Sequence, residues 1–202
     1  RMDQMNRIVD LEGLKGPHNK FVVVWLPTYR QSVRGQIRVD GRIDKDVLHS
    51  DLSQFDKAFR EFNAICFVKP HAMAEQSSPK QRIYQNIVFL NERELRRRDI
   101  SLYSLLGQAD LLLTDVSSVY FDFKKLNRTT LLYCPDLEEY KQSRGFVEQL
   151  NSLIDDPIES DEGAFLIKLR ETLSSLHTRS PIVAPCSGTA ITSELFSKLY
   201  SS

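Results

Sequence analysis

Apolar residues are arranged along this chain in two alternating patterns. Short continuous runs, rich in β-branched and aromatic side chains, are typical of strands buried on both faces of a sheet. Apolar residues that recur every three or four positions are typical of amphipathic helices. The continuous runs predict strands at 21–26, 64–68, 87–90, 111–113 and 129–133, and the periodic segments predict helices at 51–62, 102–106, 119–126, 165–176 and 191–199.

The alternation of strands and helices predicts an α/β fold. Its centre is a doubly wound parallel sheet, with right-handed crossovers and helices on both faces. No strand signal follows residue 150, where only helical segments remain.

The stretch from Asp110 to Phe123 joins a buried strand to a helix through a polar turn. A helix that starts at a strand end leaves backbone N–H groups unpaired and directs its positive dipole end outward. Ser117 and Ser118 add hydroxyl donors there, so the turn could hold a phosphate. The simpler alternative is that Asp115 or Ser117 only caps the helix.

Composition and charge limit the class of protein. The chain has 202 residues, 41% of them hydrophobic, and a formal net charge of zero, which is typical of one globular domain and argues against a general nucleic-acid binder. Cys66, Cys134 and Cys186 form no C-x-x-C pair and favour buried thiols over disulfides or a zinc site. No run has the length of a membrane span, and no signal peptide is visible. Because the chain begins with Arg1, we expect it to be a piece of a longer protein.

Polar and cationic side chains follow three of the predicted strands. In open parallel sheets, ligands bind at the carboxyl ends of the strands, near the point where the strand order reverses. Hydroxyls and cations that converge there favour a phosphate-bearing ligand. The residues in question are Thr28 and Arg30 after the first strand, Lys69 and His71 after the second, and Thr114, Asp115, Ser117 and Ser118 after the fourth.

Each of the charged candidates also has a simpler interpretation. His71 could be a general acid or base, or a cationic donor to a phosphate, but it could equally cap a turn. Lys69 could neutralise a phosphate or be merely solvated. Arg30 and Arg144 could make bidentate phosphate contacts or surface ion pairs. The run 96–98 is interpreted as a solvated face, with contact to anionic lipid head groups as the alternative.

Several common motifs are missing from the sequence. It contains neither G-x-x-x-x-G-K-[ST] nor G-x-G-x-x-G, which removes the main support for an ATPase or an NAD enzyme. It also lacks the G-x-S-x-G turn of hydrolases and the H-E-x-x-H motif, so we expect no metal site.

Taken together, four segments resemble the CDP-glycerol glycerophosphotransferase family, the polymerases and primases of poly(glycerol phosphate) teichoic acids and related capsule polymers. The resemblance covers roughly residues 20–150. Its most specific pieces are Thr-Asp-x-Ser-Ser-x-x-x-Asp and Arg-Gly-Phe. The segments occur in the order Leu26-Pro27-Thr28-Tyr29-Arg30, Lys69-Pro70-His71, Leu113 to Phe123, and Asp136-Leu137-Glu138-Glu139-Tyr140 with Arg144-Gly145-Phe146.

The resemblance implies a GT-B fold, in which two Rossmann-like domains flank a cleft and the C-terminal domain holds the nucleotide. This chain would be that C-terminal, donor-binding half. We therefore expect a linker remnant at 1–20, a Rossmann-like nucleotide-binding domain at 21–150 and helices at 151–202 that pack on the same domain. By the same resemblance, His71 would be the functional histidine near the donor pyrophosphate, Thr114, Ser117 and Ser118 would hold the phosphates, and Asp122 and Arg144 would support nucleotide binding.

The implied reaction transfers glycerol phosphate from CDP-glycerol, or a similar CDP-alditol, to a lipid-linked or polymeric acceptor in teichoic acid or capsule synthesis. The resemblance implies no cofactor or metal and no nucleic-acid partner. It implies a cytoplasmic location at the inner face of the bacterial membrane, with possible peripheral membrane contact.

Two departures from the family pattern affect this interpretation. Val116 stands where the family commonly has Tyr, and the His-Gly-Thr motif of the N-terminal half is absent. If the missing histidine is the catalytic base, this chain alone would bind the donor but transfer poorly. The alternatives are a nucleotide-sugar-dependent GT-B glycosyltransferase domain and a non-catalytic interaction domain of the same fold.

Overall fold

The computed structural model describes residues 2–5, 11, 14, 16, 18–28, 50–70, 83–115, 117–138 and 154–178. The strands within these residues are β1 (Phe21–Leu26), β2 (Ala64–Val68), β3 (Ile87–Phe89), β4 (Leu111–Thr114), β5 (Thr129–Tyr133) and β6 (Ile158–Glu159). The helices are α1 (Met2–Met5), α2 (Ser53–Glu61), α3 (Glu92–Arg97), α4 (Leu102–Gln108), α5 (Val119–Lys124) and α6 (Glu162–Thr178).

The strands form one sheet in the order β3-β2-β1-β4-β5-β6. Every pairing in it is parallel, which confirms the predicted sheet. This is the Rossmann strand order, and it reverses direction between β1 and β4. The switch point therefore lies between the ends of these two central strands.

The central strand β1 is buried on both faces, as its continuous apolar run predicts. Val23 and Trp25 face a core formed with helices α2 and α6. Val22 and Val24 face the opposite core, to which helices α1, α3, α4 and α5 contribute. The sheet is therefore covered by helices on both sides, and the doubly wound α/β prediction is confirmed.

Local hydrogen bonds fix the helix ends. Ser101 caps helix α4, because its hydroxyl accepts a bond from the Ser104 backbone N–H at 3.0 Å. Three residues with left-handed backbone, at φ values of 51–54°, follow α2, α3 and α5 and end those helices without glycine: Asn63, Asp99 and Asn127.

Helix α3 is an element that the hydrophobic pattern does not reveal. Leu95 is its only buried residue, so its helical periodicity is too weak to detect. Its start is fixed by a reciprocal cap: Asn91 accepts from the Glu94 N–H at 2.8 Å, and the Glu94 carboxylate accepts from the Asn91 N–H at 3.0 Å.

The expectation that strands end before residue 150 is wrong. Strand β6 pairs with β5, with Leu132 opposite Ile158. It has two residues, which is too short for an apolar pattern to show. The predicted helix at 165–176 is confirmed within α6, whereas the one at 191–199 lies outside the described residues.

The segment before residue 21 and two of the cysteines contribute buried side chains. Met5 and Leu11, which lie in the segment before residue 21, are both buried. Cys66 and Cys134 are buried thiols, as predicted, and burial raises the pKa of the Cys66 thiol. Cys186 lies outside the described residues.

We expect Gly107→Ala to destabilise the protein by about 1–3 kcal/mol, because α1 crosses α4 at this position. A Cβ on Gly107 would lie 1.8 Å from the backbone carbonyl oxygen of Met5. Urea unfolding measures the effect. Gly163→Ala is the control, since its Cβ would meet only the end of the exposed Asp161 side chain, at 3.2 Å, and we expect a change within about 0.5 kcal/mol. Equal stability of the two variants would contradict the close helix contact.

We expect Thr130→Val and Thr114→Val to change stability in opposite directions. The Thr130 hydroxyl is buried without a hydrogen-bond partner among the described residues, so its removal should stabilise by about 1 kcal/mol. The buried Thr114 hydroxyl donates to the Leu26 carbonyl oxygen at 2.9 Å, so its removal should cost about 1 kcal/mol. Both are measured by denaturant unfolding, and a shift of the same sign in both variants would refute the assignment.

Candidate functional site

The carboxyl ends of three neighbouring strands bring the predicted site residues to one edge of the sheet. In the pairing register, Leu26 of β1 lies opposite Thr114 of β4, and Trp25 lies opposite Val68 of β2. The segments that continue from these strands carry Thr28, Lys69 and the turn after Thr114. These residues therefore surround the switch point, where ligands of open α/β sheets bind.

The Asp115 carboxylate and Thr28 are joined across the switch point. The Thr28 N–H donates to both carboxylate oxygens, at 3.2 and 3.1 Å, and the Thr28 hydroxyl donates to Oδ2 at 2.8 Å. Asp115 is 3% exposed. A carboxylate repels a phosphate, so the contact is suited to fixing the backbone after β1 and not to holding an anion directly.

Thr114 makes a second tie between the same strands. Its hydroxyl is fully buried and donates to the Leu26 carbonyl oxygen. The hydroxyl protons of both Thr28 and Thr114 are thus directed to protein acceptors in this arrangement.

Ser117 and Ser118 form the turn between β4 and α5. Ser118 is exposed and Ser117 is partly exposed, so both hydroxyls are within reach of solvent. Ser118 is the residue before the first helical turn, and its side chain makes no capping bond. The Ser117 hydroxyl oxygen accepts a long contact of 3.4 Å from the Val119 N–H, and the Asp115 carboxylate faces Thr28. For Ser117, the capping alternative is therefore supported by one weak contact among the described residues.

Lys69 lies at the same edge with its charge already paired. Its ammonium is 2.8 Å from the Glu92 carboxylate at the start of α3, and it donates to the Pro70 carbonyl oxygen at 3.3 Å. The hydrogen bond from Lys69 lowers the pKa of Glu92 from its ordinary value of 4.5. Lys69 itself is buried, so the pair places a shielded cation at the end of β2.

Asp122 lies one helical turn beyond the polar turn and faces helix α4. Its carboxylate accepts from the Tyr103 hydroxyl at 3.1 Å and lies 3.6 Å from the Lys125 ammonium. It therefore ties α5 to α4.

A second cluster also holds α5. The Asp156 carboxylate accepts from the Tyr120 hydroxyl at 3.0 Å and pairs with the Lys124 ammonium at 2.7 Å. Burial, then the bond to Asp156, raises the pKa of Tyr120, and the same carboxylate raises the pKa of Lys124.

Sequence reasoning missed Glu92, Tyr103, Tyr120 and Asp156. The sequence did contain one usable signal, the Asn-x-x-Glu capping pattern at 91–94, which places Glu92 at a helix start. The other three become visible only through packing between elements.

The structure joins Thr28, Thr114 and Asp115 through hydrogen bonds at the switch point. Ser117, Ser118 and Lys69 lie at the same edge of the sheet, and Asp122 lies against helix α4. Arg30, His71 and Arg144 lie outside the described residues. Within the described part of the chain, no cluster of three His, Cys, Asp or Glu side chains is arranged to bind a metal ion. Among the same residues, no helix combines the length and apolarity that crossing a membrane requires.

We expect the stability contribution of Glu92 to depend on pH. A lowered pKa stabilises the fold at pH values above the ordinary 4.5, and this contribution disappears as the pH falls through the lower folded-state value. Glu92→Gln should therefore cost less than about 1 kcal/mol at pH 7, because the carboxylate is partly exposed, and the difference should vanish in acid. Urea unfolding across pH 7 to 3 measures it, with Glu171→Gln on the exposed side of α6 as control. A difference that stays constant over this range would exclude the Lys69 pair as its source.

Comparison with known proteins identifies the family. The family model for CDP-Glycerol:Poly(glycerophosphate) glycerophosphotransferase matches residues 1–180. A teichoic acid ribitol-phosphate primase of Bacillus spizizenii is 44% identical over 61 residues, which is 30% of this chain and 16% of that protein. A teichoic acid poly(glycerol phosphate) polymerase of the same species is 27% identical over 154 residues, which is 72% of this chain and 34% of that protein.

A solved structure of the wall teichoic acid polymerase TagF has the same fold. It matches with a TM-score of 0.54 at 20% identity, over 88% of this chain and 42% of that one. The chain thus spans less than half the length of each of these relatives. The family match confirms the sequence resemblance, and the chain belongs to the CDP-glycerol:poly(glycerophosphate) glycerophosphotransferase family.

Proposed function

We propose that this chain is the donor-nucleotide-binding part of a glycerophosphotransferase that transfers glycerol phosphate from CDP-glycerol to a polymeric or lipid-linked acceptor. The observation that carries the proposal is the accessible Ser117–Ser118 turn beside the Thr28–Asp115 tie, at the switch point of a chain of this family. A wall teichoic acid polymerase structure with a CDP-glycerol soak, which matches this fold at a TM-score of 0.53, supports the choice of donor.

The geometry suggests a division of roles among the hydroxyls. The hydroxyl protons of Thr28 and Thr114 go to Asp115 and Leu26, so these residues hold the frame of the site. The serine hydroxyls at 117 and 118 are accessible and are the proposed phosphate donors. Asp122 supports α5 from behind through Tyr103.

The cations have separate parts in the proposal. The Lys69 ammonium would neutralise part of the pyrophosphate charge, sharing or exchanging its bond to Glu92. His71, Arg30 and Arg144 enter on the family resemblance: His71 beside the pyrophosphate, and the two arginines as bidentate phosphate contacts.

The proposed chemistry needs positioning and charge stabilisation. An acceptor hydroxyl oxygen forms a bond to the β-phosphorus of CDP-glycerol while the bond from that phosphorus to the CMP oxygen breaks, and CMP leaves. The hydroxyl proton passes to a base, which we place on the N-terminal half of a GT-B enzyme, because the family's second histidine belongs to that half. Lys69, His71 and the serine turn offset the charge on the pyrophosphate. On its own, this chain would bind the donor and transfer little.

The location follows from the same proposal. Acceptors carried on lipid would place the enzyme at the cytoplasmic face of the membrane, with any membrane contact made by other parts of the protein. The proposal includes no metal or cofactor.

We expect this chain to bind CDP-glycerol and CMP, but not UDP-glucose, in calorimetric titrations. Ser117→Ala/Ser118→Ala should weaken CDP-glycerol binding by about tenfold or more, since two hydrogen bonds to a charged phosphate are lost. The matched control is Ser174→Ala/Ser175→Ala, an exposed pair on helix α6, which should leave the affinity unchanged.

Other results would redirect the proposal. Preferential binding of UDP-glucose would favour a glycosyltransferase. Unchanged CDP-glycerol affinity in the serine variant would remove the turn from the site. Absence of nucleotide binding, both in this chain and after it is joined to an N-terminal half, would favour a non-catalytic domain.

A further inference from the structure

Helix α3 and the residue after it carry four arginines, Arg93, Arg96, Arg97 and Arg98, here called the arginine patch. All four side chains are exposed. Leu95 is buried and the Asn91–Glu94 cap fixes the start of the helix, so the helix is held with its arginines outward. The patch therefore belongs to a helix that is anchored to the core.

The charge of the patch is only partly offset by nearby acids. Within the described residues, no carboxylate lies within 4.0 Å of an arginine of the patch. The two acids on the same helix have partners at its start: Glu92 pairs with Lys69, and Glu94 accepts from the Asn91 backbone. The charge of Arg96 also contributes to the lowered pKa of Glu92, after the larger effect of Lys69. Residues 91–99 carry the four arginines against the acids Glu92, Glu94 and Asp99, an excess of one positive charge in a chain with 27 basic and 27 acidic residues.

The patch begins next to the carboxyl ends of the strands, where the candidate site lies. The first residue of α3, Glu92, contacts Lys69 at the end of β2. Arg97 lies five residues further, about 8 Å along the helix axis. Strand β3, which directly precedes α3 in the chain, is the edge strand of the sheet next to β2.

We propose that the arginine patch binds the phosphodiester backbone of the polymeric acceptor, a chain with one negative charge per repeat. This rests on the proposed function. Guanidinium groups suit such a ligand because each can hold a phosphate through two parallel N–H bonds. Contacts made only to the backbone would retain a growing chain near the donor without depending on its length.

A polymer explains the patch better than a lipid surface does. Helices that lie on membranes bury large apolar side chains between the lipid head groups. Among the described residues, the exposed large apolar side chains are Met2, Ile83 and Ile167, none of which lies on α3. The apolar residue of α3, Leu95, is already used in the core.

The test uses a fluorescent poly(glycerol phosphate) oligomer and this chain, followed by anisotropy. We expect binding that weakens steeply from about 50 to about 200 mM NaCl, and a loss of about fivefold to tenfold in affinity in Arg97→Gln/Arg98→Gln. The control, Lys57→Gln/Lys168→Gln, removes the same charge from the opposite face of the sheet and should stay within twofold. Arg97→Lys/Arg98→Lys should lose less than the glutamine variant, because it keeps the charge and loses only the bidentate geometry.

Two parallel measurements separate the possible failures. Equal polymer affinity in the arginine variant and its control would overturn the patch proposal, while CDP-glycerol binding by the same samples would leave the proposed function standing. Polymer binding through the patch, with no CDP-glycerol binding, would support the patch and count against the proposed function. Patch-dependent binding to phosphatidylglycerol vesicles, with polymer binding unaffected, would overturn the proposal in favour of a membrane.

Discussion

The bond between the buried Asp115 carboxylate and Thr28 is the constraint on which the candidate site depends. Strands β1 and β4 are paired as far as Leu26 and Thr114, and beyond that point the chains continue to helices on different parts of the sheet. Without a tie, the two segments would be free to separate at the switch point. A carboxylate that accepts from both the N–H and the hydroxyl of Thr28 fixes them at a charge-assisted hydrogen-bond distance of 2.8 Å. The Ser117–Ser118 turn follows directly and takes its position from this tie.

Cations near the carboxyl ends of the strands lie in two different environments. At the end of β2 the Lys69 cation is shielded by burial and held by Glu92. The arginines of α3 are exposed, and the charge of Arg96 contributes to the lowered pKa of Glu92. The same short helix thus supplies both the anion that holds Lys69 and a set of exposed cations. A balanced net charge for the whole chain conceals this arrangement.

The sequence predicted the parts of the fold that depend on local patterns. Strands β1, β2 and β5 were found with their observed limits, because residues buried on both faces must be continuously apolar. Helix α3 was missed because Leu95 alone marks its buried side, and β6 because two residues carry no periodicity. For the site, parallel topology was enough to place Thr28, Lys69 and Asp115 at one edge. That the Thr28 hydroxyl donates to Asp115, and that Lys69 pairs with Glu92, depends on side-chain geometry between distant segments, which no sequence pattern encodes.

The tie between Thr114 and Leu26 joins residues 88 positions apart in the chain. Strand β1 lies at the centre of the sheet, yet its partner β4 is synthesised long after it, and β2 and β3 must be added on the other side meanwhile. Closing a loop of this length costs conformational entropy, and sheets built from nonlocal parallel pairs fold slowly. On a ribosome, β1 therefore has one edge unpaired until residue 114 has emerged, and β5 and β6 can join the sheet only after that. The joining of β1 to β4, which lies midway in this order, is also the step that brings the residues of the candidate site together.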